Sequence, residues 1–229
     1  KFSENSQLKS IGKGAFSQTG IVDFFVPSGV KSIEDLTFSF CPNLKTVSFS
    51  KYSKLTSIGS QVFYKSPIES FYFPPKLKEL SDDWCCNTPK LTNIKISHKN
   101  RHFRLIDNTY LVGKSEQSQT DFDSIVFVRR DLKKFVVPSN IRVISPFCFC
   151  WSDNFEVVDI QLDSKLEIIG KYAFSHSMIE KLTIPKGVSE LNEGWFSCTT
   201  KLVSISVSNE NENFKFVNNS ILLYKTDKT

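Results

Sequence analysis

The feature that most constrains this chain is a phrase it writes three times. "SIGKGAF" occupies 10–16, "SIGSQVF" 57–63 and "IIGKYAF" 168–174, each with a Phe five places after an Ile. Aligned on that step, the chain carries Ile11/Phe16, Ile33/Phe38, Ile58/Phe63, Leu80/Cys85, Ile144/Phe149, Ile169/Phe174 and Leu191/Phe196. The starts lie 22, 25 and 22 residues apart, then 64, then 25 and 22. Self-similarity at such a period means small units that cannot bury an apolar face alone and must stack to do so.

A second signature follows each Phe position: aliphatic–x–x–aliphatic–x–aliphatic. It runs from Ile21-Phe24-Val26 and Leu44-Val47-Phe49 through Ile68-Phe71-Phe73, Leu91-Ile94-Ile96, Leu132-Phe135-Val137 and Phe155-Val158-Ile160 to Ile179-Leu182-Ile184 and Leu202-Ile205-Val207. The last two apolar positions are two apart, which is strand periodicity with one face inward. Short units close on Pro27, Pro74, Pro138 and Pro185. Pro lacks an amide hydrogen and suits a strand exit. Gly12, Gly59 and Gly170 fit a tight or positive-φ turn. With 21 Phe against one Met, the core is expected to rest on Phe, Leu, Ile and Val.

The expected fold is therefore a repeat solenoid spanning 1–229, a single array of about eight coils. Short parallel strands should line its concave side, with turns and 3₁₀ segments on the convex side and little α-helix. A hairpin insertion is expected over 98–130, turning at Asp107-Asn108, and a second hairpin over 209–229. Shifting the chain by 111 residues lays Leu77–Ser115 on Val188–Thr226, with Trp84/Trp195, Phe103/Phe214 and Asn108/Asn219 among the identities. The second copy stops mid-pattern, as expected of a piece of a longer repeat array. The polar loop 115–124 should be mobile.

The "L-x-x-I-G-x-x-A-F" phrase followed by "L-x-x-L-x-I-P" resembles the BspA-type, or treponemal-class, leucine-rich repeat, most closely over Leu8–Pro27 and Leu166–Pro185. Trp84-Cys85 and Pro146-Phe147 depart from that pattern. The resemblance implies a protein-recognition module at a cell surface or secreted, adhering to host matrix or cell-surface proteins. An intracellular scaffold with a cytoplasmic location is the alternative.

Little in the chain reads as chemistry. The six cysteines (Cys41, Cys85, Cys86, Cys148, Cys150, Cys198) form no Cys-x-x-Cys pair. His98, His102 and His176 are not spaced against them as a zinc site requires. Buried free thiols or a disulfide are both open readings, and no catalytic residue, cofactor or metal is expected. Asp82-Asp83, Asp121/Asp123 and Glu210/Glu212 read as solvated loop carboxylates. Net charge is +5, but the lysines are scattered among acids, so no nucleic-acid partner is expected. No apolar run reaches the ~18–20 residues of a membrane-spanning helix. Asn218-Asn219-Ser220 is a glycosylation sequon, making Asn218 a candidate acceptor.

Function is left to the exposed face of the sheet. Residues flanking the last two apolar positions point outward, and most are small or polar. Phe25 and Tyr72 are the exceptions, with Lys95, Lys134 and Lys181 farther along as a positive stripe. Either the two aromatics anchor a partner, since interfaces favour such side chains, or Phe25 stacks on Tyr72 and merely covers the sheet.

Overall fold

The structure, a computed structural model, describes residues 2, 6–116, 118–217 and 221–224. The chain divides into two compact units, Lys1–Gly113 with Val128–Asp131, and Lys114–Phe127 with Leu132–Thr229. In the first unit, two-residue and four-residue strands alternate: β1 (Ser10–Ile11), β2 (Asp23–Val26), β3 (Ser32–Ile33), β4 (Thr46–Phe49), β5 (Ser57–Ile58), β6 (Ser70–Phe73), β7 (Glu79–Leu80) and β8 (Asn93–Ile96). The odd strands form one parallel sheet in the order β1-β3-β5-β7, the even strands another in the order β2-β4-β6-β8. A hairpin follows, β9 (Arg104–Ile106) against β10 (Tyr110–Gly113). Its turn residues Asp107 and Asn108 both have positive φ, 46° and 53°, and the pairing of Ile106 with Tyr110 leaves a three-residue loop, 107–109.

The second unit repeats this plan. Its strands are β11 (Ser124–Val128), β12 (Lys134–Val137), β13 (Val143–Ile144), β14 (Val157–Ile160), β15 (Ile168–Ile169), β16 (Lys181–Ile184), β17 (Glu190–Leu191) and β18 (Ser204–Val207). β11, β13, β15 and β17 pair in parallel, as do β12, β14, β16 and β18. The hairpin is β19 (Phe214–Val217) with β20 (Ile221–Tyr224). The shift of 111 residues carries each of β2 to β8 onto β12 to β18 without adjustment. The first strand breaks step, since β11 begins three residues later than the shift of β1 would place it.

The alternation along the four-residue strands decides what is buried. Phe71 and Phe73 are buried while Ser70 and Tyr72 lie outside, and Phe135 and Val137 are buried while Lys134 and Val136 are exposed. Beneath the sheets the Phe positions stack from coil to coil. Phe16, Phe38 and Phe63 stack in series with nearly parallel rings, 5.5 and 5.8 Å between ring centroids. Phe149 stacks on Phe174 at 5.1 Å in the second unit. Each such ring removed from water contributes about 2–3 kcal/mol. Where Cys85 replaces the fourth Phe, Trp84 fills the space and packs on Phe63 and Phe71.

The segments carrying these Phe residues are runs of turns with two alternating sets of bonds. Ala15, Ser17 and Thr19 donate three residues back, to Gly12, Gly14 and Phe16. Gly14, Phe16 and Gln18 instead donate to Asp35, Thr37 and Ser39 of the next coil. The first set is the 3₁₀ bond; the second prevents it from continuing into helix. The cost is backbone conformation. Residues two before and two after the Phe position take positive φ, as at Leu36/Phe40, Gln61/Lys65, Phe147/Trp151 and Tyr172/His176, a region bulky side chains enter rarely.

The glycines correct an expectation. The positive-φ glycines are Gly14 and Gly194, whereas Gly12, Gly59 and Gly170 are not in that region. Gly59 and Gly170 are needed for close approach instead. A Cβ at Gly170 would lie 2.5 Å from the Pro146 nitrogen and 2.8 Å from the Ile144 oxygen of the preceding coil. Of the loop carboxylates, Asp123 alone is corrected, while Asp82, Asp121, Glu210 and Glu212 are exposed as expected. Asp123 is buried, accepts bonds from the Ser115 amide (2.8 Å) and hydroxyl (2.7 Å), and faces Arg142 at 3.6 Å. The 115–124 loop is thus closed on its own base.

Candidate interaction surface

The outward rows of the even-strand sheets are built by pairing register. In the first unit Phe25 pairs with Ser48 and Tyr72 with Lys95, and Val47 with Phe71. One row therefore reads Phe25, Ser48, Tyr72, Lys95 across four strands. Phe25 and Tyr72 are two strand spacings apart, about 10 Å, with a serine between, so Phe25 does not stack on Tyr72. Phe25 is 44% exposed, Tyr72 half-buried and Lys95 exposed.

The second unit offers a different face. Lys134 pairs with Val157, and Val157 with Lys181. The two lysines are exposed and flank a valine that is 43% exposed, beside Val136 at 47%. Lys95 belongs to the first unit's face, next to Tyr72; Lys134 and Lys181 belong to the second's. On the second face a shallow groove of about 560 Å³ runs past Asp159, Thr183 and Ser206 to Leu162 and Glu210. Thr183 and Ser206 share a 2.9 Å hydroxyl bond along it.

Two further clusters escaped the sequence reading because their members are scattered along the chain. Phe40 lies edge-on to Tyr64 at 5.3 Å, with the Lys65 ammonium over both rings. Trp151 stacks flat on His176, 3.9 Å between centroids. Phe40, Trp151 and His176 all sit two residues after a Phe position, in left-handed conformation. The signal was the slot itself, read across coils.

The thiols are structural in character. Cys41, Cys85, Cys86, Cys148 and Cys150 are buried and Cys198 is exposed, and none of the six forms a disulfide. Burial pushes the Cys85 thiol up to about 12, against the opposing pull of Arg130, so it carries no thiolate at neutral pH. The Cys41 thiol donates to the Phe16 carbonyl at 3.0 Å. His98 and His102 are both exposed. Among the described residues no three His, Cys, Asp or Glu side chains gather as a metal site, and no helix is long and apolar enough to cross a membrane. Asn218 lies outside the described residues.

Set beside known proteins, the sequence matches the family profile described as BspA type leucine rich repeat region, in six copies over 1–107 and 120–224. No curated protein matches it significantly. Solved structures share its fold. The pneumococcal vaccine antigen PcpA is similar with a TM-score of 0.74 at 22% identity, over 93% of this chain and 56% of that one. A leucine-rich repeat protein of Eubacterium ventriosum scores 0.70 at 18% identity, over 89% and 58%. A leucine rich cell surface protein of Faecalibacterium prausnitzii scores 0.64 at 18% identity, over 87% and 63%. The chain thus spans less than two thirds of the length of each.

Proposed function

From the premise that this chain belongs to the BspA-type leucine-rich-repeat family, a family of repeat modules for protein interaction, we propose that it recognises a protein ligand at a cell surface, adhering to a host matrix or cell-surface protein. The observation that carries this reading is the Phe25–Ser48–Tyr72–Lys95 row, two large aromatics and a cation held outward on a rigid sheet that does not need them for its core. Lys134 and Lys181, around Val157 on the other face, are proposed as further contacts. Aromatics would supply apolar burial, and the lysines rate and specificity toward an acidic partner. Surface neighbours such as the Faecalibacterium protein support the location.

The test is a binding screen against extracellular-matrix proteins, repeated with Phe25→Ser and Tyr72→Ser together. If the row is the anchor, the double change weakens binding by about 2 kcal/mol or more and leaves the melt unchanged. Unaltered affinity for the matrix protein found would move the site off this row.

A further inference from the structure

The sheet edge of the first unit carries a charge pattern that the second unit lacks. Each even strand is followed by a turn, and the turns lie against one another. The Lys54 amide donates to the Ser28 carbonyl, the Lys78 amide to Thr56, and the Asn100 side chain to Pro74 and Leu77. The first five residues after β2, β4, β6 and β8 are "PSGVK", "SKYSK", "PPKLK" and "SHKNR". They hold Lys31, then Lys51 and Lys54, then Lys76 and Lys78, then Lys99 and Arg101, with no acid in any turn. All seven side chains are exposed. Among the described residues only Lys78 of the seven has an ion-pair partner, its neighbour Glu79 at 3.0 Å.

The equivalent turns of the second unit are "PSNIR", "QLDSK", "PKGVS" and "SNENE". There three cations face three acids. Under the 111-residue shift Lys99 becomes Glu210 and Arg101 becomes Glu212, while the asparagine and phenylalanine that hold the turn stay the same, Asn100/Asn211 and Phe103/Phe214. In the second unit Glu210 is paired with Lys186 at 3.4 Å; the matching place in the first unit holds Pro75 beside Lys99. The same turn scaffold therefore folds with either sign of charge. The cations of the first unit are not there for the fold.

We propose that this edge is a binding site for a linear sulfated polysaccharide. Neighbouring strands lie about 4.8 Å apart, so the four turns set cations along a stripe of roughly 15 Å, matched to an extended chain bearing anions at short intervals. Arg101 offers a planar fork to an oxyanion, and the lysines act as point charges. A nucleic acid fits less well. The stripe presents no helix or two-stranded ribbon to a duplex groove. Its exposed aromatic, Tyr52, has the Lys51 ammonium over its ring at 5.0 Å, where an unpaired base would stack. The preference for a glycan also rests on the surface location proposed above, but the site is separate from the Phe25–Tyr72 row.

The test uses the full chain, a fully sulfated heparan dodecasaccharide and a salt series. Lys99→Glu with Arg101→Glu, which installs what the second unit already carries, should weaken binding about tenfold or more and flatten the dependence of log affinity on log salt. Its melt should not change. A second variant, Lys51→Gln with Lys54→Gln, should weaken binding on a different turn, about threefold, and keeps the test open should the first fold poorly. Phe25→Ser with Tyr72→Ser should bind the dodecasaccharide as the parent does, which separates failure of this site from failure of the protein-recognition site. Unchanged affinity in both charge variants overturns the proposal. So does duplex DNA of equal charge binding as tightly as the glycan.

Discussion

Asn100 and Asn211, 111 residues apart, make the same four hydrogen bonds. Asn100 donates to the Pro74 and Leu77 carbonyls at 2.8 and 3.0 Å and accepts from the His102 and Phe103 amides. Asn211 donates to Pro185 and Val188 at the same distances and accepts from Asn213 and Phe214. Each asparagine joins the last turn of its unit to the preceding one and starts the hairpin. Asn211 is fully buried, so its loss strands carbonyls and amides away from water. Asn211→Ala should cost about 3 kcal/mol in denaturant unfolding, since each unsatisfied buried group costs about 1–3 kcal/mol. A loss below about 1 kcal/mol would mean that water replaces the side chain.

Gly194 lies directly under the ring of Tyr172, with φ of 61°. An alanine there meets Cε1 and Cδ1 of that ring and a conformation its Cβ disfavours. Gly194→Ala should destabilise by about 2 kcal/mol, and Tyr172→Ala should recover part of it. Equal losses in single and double variants, measured as a thermodynamic cycle, would show that backbone conformation rather than the ring contact dominates.

Thiol reactivity follows from burial. At pH 8 the native protein should react rapidly with a disulfide reagent at Cys198 alone, the exposed thiol. The five buried thiols should react only on unfolding, since burial shields them and in the native protein holds the Cys85 thiol at about 12. Two or more fast thiols in the native protein would place one of the five at the surface.

Much of this was legible in the sequence, for reasons that differ by element. The Phe ladder could be read because Phe16, Phe38, Phe63, Phe149 and Phe174 are the largest apolar residue at one repeating slot. The outward row could be read because strand alternation has a period of two. The odd-strand sheets could not, because strands such as Ser32–Ile33 are too short to show any period. Nor could the left-handed residues, since Leu36, Phe40 and Trp151 are not types that favour positive φ and are held there by bonds to the next coil. The basic edge escaped because its cations are twenty or more residues apart between turns, so no run exists along the chain. Asp123 looked solvated because its partners, Ser115 and Arg142, arrive from either side of it only after folding.

The strand register itself is open to a sharp test at two adjacent phenylalanines. Phe24 packs on Phe16 at 4.7 Å and Phe38 at 4.9 Å, while Phe25 is 44% exposed on the opposite face. Truncating a packed Phe costs about 3–5 kcal/mol, and a surface change away from special features about 0.5 kcal/mol or less. Phe24→Ser should therefore shift the denaturation midpoint strongly, and Phe25→Ser hardly at all. A slip of one residue exchanges the two faces of the strand, so the opposite result would move Phe25 and Tyr72 into the core and take the proposed aromatic row off the surface with them.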